Sequence, residues 1–193
     1  MSLAFLSQIT GIDSIVYYTP KALMKVGFQE TSSVFLASLL VPVTLMIFTI
    51  VAMFTIDKYG LRPLLLIGTC GMGLSFIFVG FSFLSTTLSN YGVLTGLVMF
   101  IIFFSISLGP IPWLYMSEVF PTRFRGAAVS IATNVLWISN FLIAQFFPWM
   151  VDNLKGTSYF IFAAICFITF IVVWFLIDET KGKSLEEIEK IWD

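Results

Sequence analysis

Long apolar segments are the feature that most restricts what this chain can fold into. A membrane-spanning helix needs ~20 mostly apolar residues, and the sequence contains about six segments of that kind. They run near Ser2–Lys21, Ser32–Ile56, Pro63–Leu84, Gly92–Met116, Gly126–Met150 and Ser158–Ile177. Charged residues and turn formers lie in the breaks between them. Because the segments are long and show no alternation of apolar and polar residues, they favour helices over the strands of a β-barrel.

The composition excludes several classes of protein. Only 11% of the residues are charged and 59% are hydrophobic, whereas a soluble domain has about 25% charged residues. The solvent of this chain must therefore be partly lipid. The net charge of -1 gives no basic field, so we expect no nucleic-acid partner. With no histidine in the chain, and with Cys70 and Cys166 isolated inside apolar runs, we expect neither a metal site nor another cofactor.

The basic residues of the short loops predict the orientation, because cytoplasmic loops are enriched in lysine and arginine. One side of the membrane would hold seven of the ten basic residues, and the other side would hold three. The richer side carries Lys58, Arg62, Arg123, Arg125, Lys181, Lys183 and Lys190, and the poorer side carries Lys21, Lys25 and Lys155. We therefore expect both termini to face the cytoplasm, with the plasma membrane as the location.

The chain divides into a transmembrane bundle over residues 1–177 and a polar tail over residues 178–193. In the tail, Ser184–Glu187 has the pattern of a helix-capping box. Leu185 and Ile188, followed by Ile191 or Trp192, form one apolar stripe at helical spacing. These patterns predict a short amphipathic helix against the cytoplasmic face. It would serve either as a gating or docking element or as a simple interfacial anchor.

The first apolar segment carries polar residues in its middle. At helical spacing, Thr10, Asp13, Ser14 and Tyr17 would share one face. Asp13 would lie near the bilayer midplane, where a lipid-facing carboxylate costs ~2.5–3.5 kcal/mol. We therefore expect this face to point at protein or at water. It could line a site, or it could make hydrogen bonds between helices of the bundle.

The fourth and fifth segments are also unusual. The sequence Gly109-Pro110-Ile111-Pro112 predicts a break, because proline removes backbone donors and clashes with the preceding turn. Interrupted segments one and four would begin two three-helix inverted repeats, and paired interruptions of this kind indicate a transporter site. In the fifth segment, Trp137 and Asn140 are neighbours at a spacing of three. Indole rings beside amides suit a sugar better than an ion.

Four motifs resemble the sugar porter family of the major facilitator superfamily. Ser7–Tyr18 resembles the motif Gln-Gln-x-x-Gly-Ile-Asn-x-x-x-Tyr-Tyr, and Asp57–Pro63 resembles the family's Asp-Arg/Lys-x-Gly-Arg-Arg/Lys-Pro turn. The stretch from Gly109 to Gly126 resembles the region between helices ten and eleven, and Asp178–Gly182 resembles the Pro-Glu-Thr-Lys-Gly tail. The resemblance implies an all-α polytopic membrane protein with six transmembrane helices, equivalent to the C-terminal half of a major facilitator fold.

The resemblance also implies roles for single residues. The substrate-binding set would be Gln8, Asp13, Tyr17, Gly109, Trp113 and Trp137, to which the polar residues of the fifth segment add Asn140. The cytoplasmic gating set, joined by salt bridges, would be Asp57, Arg62, Glu118, Arg125 and Glu179. On the residues alone, these charges could equally be ordinary anchors of the cytoplasmic face.

The chain departs from the family pattern at several positions, most of which are polar in the family. The residues found there are Ser7, Asp13, Leu45, Leu61, Leu136 and Asp178. Several hydroxyl-binding partners are missing as a result, and a site without matched partners discriminates poorly. We therefore expect that the substrate, a hexose or polyol-like sugar, is a different or weakly selected sugar and that the pocket is not a standard glucose pocket.

Three functions are compatible with these features. In the first, the chain is half of a monosaccharide carrier, a symporter or uniporter, that works by alternating access with an N-terminal six-helix half, missing or supplied in trans. In the second, the chain is a truncated or non-transporting membrane scaffold or assembly subunit. In the third, it is an intramembrane enzyme. The third is disfavoured because the sequence has no nucleophile–base pair and no paired catalytic acids.

Overall fold

The computed structural model describes residues 2–25, 31–84, 89–120, 123–154, 156–177, 179 and 181. Every regular element in this part of the chain is an α-helix, which confirms the all-α prediction. The helices are α1 (Ser2–Ile9), α2 (Ile12–Lys25), α3 (Thr31–Tyr59), α4 (Leu61–Leu84), α5 (Ser89–Ser105), α6 (Ile111–Val119), α7 (Arg125–Leu154) and α8 (Thr157–Leu176). The amphipathic helix expected within residues 178–193 lies outside the described residues, apart from positions 179 and 181.

Four of these helices are long and apolar enough to cross a membrane: Val34–Tyr59 within α3, then α4, α7 and α8. Most of α5 is a shorter apolar helix over Tyr91–Ser105. Large apolar side chains also cover much of the outer surface, with Phe54 on α3 and Phe175 on α8 about three-quarters exposed. Helices that are apolar on all sides belong in lipid or in a protein core.

Two of the predicted segments are interrupted. The first segment, expected as one span over Ser2–Lys21, ends as α1 at Ile9 and restarts as α2 at Ile12. Gly11 lies between them with φ of 85°, a left-handed conformation that other residues adopt only with strain. The fourth segment is divided into α5 and α6 by a turn at residues 106–110, where the proline pattern predicted a break. Pro112 itself lies in the first turn of α6, where proline is tolerated.

The main core forms around α4, which packs most extensively against α5 and α8. Its centre is aromatic. The Phe76 ring lies 4.3 Å from Phe100, 5.8 Å from Phe162 and 6.1 Å from Tyr159, measured between centroids. Such pairs are each worth about 0.5–1.5 kcal/mol beyond the area they bury.

A second, smaller core holds α1 and α6 against α7. It consists of Ala4, Met116, Ala132 and Leu136, all buried. Small side chains here allow the backbones to approach closely, as is common in membrane bundles. This core joins α1 and α6 to the first half of α7. The same three helices carry most of the predicted binding residues, namely Gln8, Trp113, Trp137 and Asn140.

Lys21 on α2 and Asp152 on α7 form an ion pair with a nitrogen–oxygen distance of 3.2 Å. Their side chains are 54% and 44% exposed. Exposed pairs of this kind contribute about 0–1 kcal/mol. The packing of apolar side chains, rather than this pair, therefore holds α2 and α7 together.

The contact between α4 and the turn at residues 106–110 yields a test of the packing. A Cβ atom at Gly68 would overlap the Ser107 side chain and lie 3.0 Å from the Phe103 carbonyl oxygen. We expect Gly68→Ala to destabilise the protein by about 1–3 kcal/mol, because overpacking forces the backbone to move. Thermal unfolding of the purified protein in detergent measures the effect.

Gly126→Ala is the matched control, because nothing lies within 4 Å of the position of its added Cβ atom. It should unfold at or above the temperature of the unmodified protein. Equal unfolding temperatures for the two variants would contradict the close approach of α4 to this turn.

Candidate functional site

Three polar side chains from three helices meet at one point. Gln8 lies in the last turn of α1, Asp13 in the first turn of α2, and Asn140 near the middle of α7. The Asn140 Nδ2 atom donates one hydrogen bond to the Gln8 Oε1 atom, at 3.3 Å, and another to the Asp13 carboxylate. All three side chains are half-buried. The structure therefore joins three residues of the predicted binding set, although Asn140 is more than 120 positions along the chain from Gln8 and from Asp13.

The break at Gly11 creates this arrangement. It separates Gln8 from Asp13, so that the first side chain ends one helix and the second begins another. A carboxylate in the first turn of a helix is favoured by the helix dipole and by the unpaired backbone amides there. The polar cluster formed by Gln8, Asp13 and Asn140 is called the amide–carboxylate cluster below.

The predicted common face of Thr10, Asp13, Ser14 and Tyr17 is wrong. Thr10 and Ser14 are fully buried, Asp13 is half-buried, and Tyr17 is 65% exposed. For Thr10 the spacing rule fails because it counts through Gly11, where the helix is interrupted. Within α2, Ser14 is buried against the core while Tyr17 lies on the surface. The Thr10 hydroxyl donates to the Ser7 carbonyl oxygen at 2.7 Å. It therefore satisfies its own helix end and is not turned toward a ligand.

The aromatic residues of the predicted set lie on the surface of this chain. Trp137, one turn before Asn140 on α7, is 60% exposed, and Trp113 on α6 is 46% exposed. Gly109 is half-buried in the turn before α6. Within the described residues, no resolved hydrogen bond joins Tyr17, Trp113 or Trp137 to the amide–carboxylate cluster. These rings are available to a ligand or to another part of a larger protein.

The charged residues at the α3–α4 turn make a second cluster. Gly60, between the two helices, has φ of 90°. The Glu179 carboxylate accepts hydrogen bonds from the backbone amides of Leu61 and Arg62, each at 3.1 Å. It also accepts one from the amide of Lys181, at 3.0 Å. Glu179 therefore caps the N-terminus of α4, where the helix dipole favours a negative charge.

The arginines of the predicted gating set bind backbone carbonyl groups. The Arg62 guanidinium donates to the Trp174 carbonyl oxygen at 2.7 Å, and the Arg125 Nε atom donates to that of Phe120 at 3.1 Å. Asp57 is exposed and Glu118 is half-buried. The Arg62 and Glu179 side chains belong to one cluster, but each binds backbone groups. Glu179 binds the amides of Leu61 and Arg62, and Arg62 binds the Trp174 carbonyl oxygen. A salt-bridge network among the five residues stays a prediction.

Two features of these clusters were missed from the sequence. The pairing of Asn140 with Asp13 has no local signal, because the two residues are far apart in the chain. The amide contacts of Glu179 had one signal, the glycine directly before a helix, which marks a place where backbone amides can bind an anion. Within the described residues, no group of three His, Cys, Asp or Glu side chains is arranged to hold a metal ion.

Comparison with known proteins identifies the family to which this chain belongs. The family described as Sugar (and other) transporter matches residues 1–192. The arabinose-proton symporter of Bacillus subtilis is 39% identical over 191 residues, covering 98% of this chain and 41% of the symporter. The D-xylose-proton symporter of Escherichia coli K12 is 32% identical over 198 residues, covering 99% of this chain and 40% of the symporter.

Solved structures agree with the sequence matches. The fold is similar to that of a major facilitator superfamily proton:xylose symporter bound to 6-bromo-6-deoxy-D-glucose, with a TM-score of 0.89 and 32% identity over 99% of this chain and 41% of the symporter. The inward-open xylose transporter of E. coli gives a TM-score of 0.86 at 32% identity, over 100% of this chain and 40% of the transporter.

The chain thus spans about two-fifths of the length of the relatives that it matches. Its helices, its motifs and the family match over residues 1–192 agree with the resemblance found in the sequence. The chain belongs to the sugar (and other) transporter family and has the fold of part of a major facilitator superfamily transporter.

Proposed function

We propose that this chain is the C-terminal six-helix half of a carrier that moves a monosaccharide, a hexose or polyol-like sugar, by alternating access. The observation that carries the proposal is the amide–carboxylate cluster, in which Asn140 on α7 joins Gln8 and Asp13 at the break between α1 and α2. Polar groups in a membrane bundle usually face a cavity or a partner, because they are costly in lipid. The names of the relatives, which are arabinose and xylose symporters, support a sugar as the substrate.

The chemistry of the exposed side chains fits a sugar. Carboxylate and amide groups bind hydroxyl groups, and the faces of indole rings pack against the C–H faces of a sugar ring. Gln8, Asp13 and Asn140 would supply the first kind of contact. The second kind would come from Trp113 and Trp137, with Tyr17 and Gly109 at the edge of the site.

The other wall of the site would belong to an N-terminal six-helix half, in the same chain or in trans. Substrate sites of such transporters lie at the interface between repeats near the bilayer midplane. The amide–carboxylate cluster and the two exposed indoles are open to such a partner. Rocking of one half against the other would expose the sugar to each side of the membrane in turn.

The cluster at the α3–α4 turn would act as the cytoplasmic gate. The excess of lysine and arginine in the loops supports a cytoplasmic position for this turn and for both termini, and the membrane would be the plasma membrane. Glu179, bound to the amides of Leu61 and Arg62, would fasten the segment after α8 to the start of α4. Asp57, Arg62, Glu118 and Arg125 would complete the gate when the other half closes against it.

Uptake of labelled monosaccharides tests the carrier function. The chain would be expressed alone and together with the N-terminal half of a related arabinose symporter, in cells that lack their own sugar carriers. We expect sugar-dependent uptake only with the second half present, because one half supplies one wall of the site. Uptake with and without a proton gradient then distinguishes a symporter from a uniporter.

Trp113→Ala should raise the KM of this uptake roughly tenfold or more, because large aromatic side chains dominate binding energies. The matched control is Trp149→Ala, which removes another exposed indole, from the far part of α7, and should leave uptake unchanged. Normal expression with no uptake, and with no sugar-dependent thermal shift, would instead favour a scaffold or assembly subunit.

Glu179→Ala tests the proposed gate. The change removes the acceptor of three backbone amides, so we expect a loss of about 1–2 kcal/mol of stability and a lower rate of transport. Glu179→Gln, which keeps one acceptor oxygen, should have an intermediate effect on both measurements.

Arg123→Gln removes an exposed charge from a loop that is also expected on the cytoplasmic side, and it serves as the control, with transport and unfolding temperature expected to stay unchanged. A Glu179→Ala protein with normal transport kinetics would rule out the gating role, whatever its stability.

A further inference from the structure

We propose that Asp13 imposes a fixed hydrogen-bond direction on the sugar site, so that the site selects a monosaccharide by two adjacent hydroxyl groups that both act as donors. This inference rests on the proposed function and specifies the substrate class of the same site. It follows from which atoms of the amide–carboxylate cluster are already bonded and which remain free.

The first step is the orientation of the Asn140 amide. The Asn140 NH₂ group, and not its carbonyl oxygen, faces Asp13, which is the direction that a carboxylate in its ionised form requires because it can only accept hydrogen bonds. The same NH₂ group donates to the Gln8 Oε1 atom at 3.3 Å. Both of its hydrogens are therefore used, one by each partner. Asp13 in this way determines the orientation of both amides, because Gln8 must present its oxygen to Asn140.

The second step is what the cluster leaves for a ligand. The Asn140 carbonyl oxygen and one oxygen of Asp13 are acceptors without a resolved hydrogen-bond partner among the described residues. The Gln8 NH₂ group is the corresponding donor. The three side chains are half-buried, so these atoms can be reached from the open side of the cluster. The free pattern is thus two neighbouring acceptors with one donor beside them.

The third step is the match to a substrate. Two neighbouring acceptors are best satisfied by two neighbouring hydroxyl donors, and one of these hydroxyls can in turn accept a hydrogen bond from Gln8. Hydrogen bonds to an ionised group are roughly twice as strong as neutral ones. A site built on such groups strongly rejects an analogue that lacks the matching hydroxyl, because buried polar groups are then left unpaired. An asparagine at position 13 could present either a donor or an acceptor and would not impose this direction.

The experiment uses the carrier formed by this chain and an N-terminal half, in which sugar binding or uptake is measured. The probes are the transported monosaccharide and, for each ring hydroxyl, its monodeoxy and monofluoro analogues as competitors. Fluorine resembles a hydroxyl in size and accepts hydrogen bonds weakly, but it cannot donate. At two adjacent ring positions, we expect the monodeoxy and the monofluoro analogue each to bind roughly 10- to 100-fold more weakly than the parent sugar.

Asp13→Asn should reduce this discrimination to about tenfold or less at the same two positions, because a neutral amide can adapt its direction and its hydrogen bonds are weaker. Asp152→Asn is the matched control. It removes a carboxylate from α7 that pairs with Lys21, away from the amide–carboxylate cluster, and should leave the discrimination unchanged.

Three results would overturn the inference. The first is full binding of the fluoro analogues, which would mean that the site donates to the sugar. The second is weakened binding of analogues changed at ring positions that are not adjacent. The third is equal discrimination before and after Asp13→Asn. In each of these cases the parent sugar still binds, so the proposed carrier function stands. If no monosaccharide binds or is taken up, the proposed function itself fails, and this inference fails with it.

Discussion

The need to satisfy every backbone amide and carbonyl group within an apolar solvent governs this structure. Helices meet that need internally, which is why the described part of the chain is built from them. The two interruptions meet it with short local bonds. At the first, the Gly11 amide donates to the Gln8 carbonyl oxygen at 2.9 Å. At the second, the amides of Ser107 and Gly109 both donate to the Phe104 carbonyl oxygen, at 3.0 and 2.9 Å.

The two interruptions are also where the chain gains its chemistry. An unbroken first segment would carry Gln8 and Asp13 along one continuous helix. The left-handed residue between them lets both side chains reach Asn140 on α7. The turn before α6 contains Gly109 and leads into the helix that carries Trp113 and contributes Met116 to the smaller core. Irregular backbone at membrane depth is tolerated where protein or water covers it, and this chain uses both such places to present polar or aromatic groups.

The sequence predicted the helical class, the apolar segments and the family, because these depend on composition, periodicity and local motifs. It also identified Asp13 and Asn140 as candidates, since polar residues inside apolar segments are conspicuous, and Gln8 through the resemblance to the sugar porter motif. It could not predict that the three touch, because a contact between α1, α2 and α7 is determined by the packing of the whole bundle. The sequence indicated that the first segment is interrupted but did not place the break at Gly11, because glycine permits a positive φ but does not require one.

The close contact of α4 with its neighbours has a consequence for how the protein can diverge over time. Replacing Gly68 by a larger residue displaces Ser107 and with it the turn that leads to Trp113. Exchanges among apolar residues at outward positions such as Phe54 or Phe175 disturb no such contact. Sequence drift should therefore accumulate on the outer sides of α3 and α8, while the inner side of α4 can change only when a facing residue shrinks in compensation.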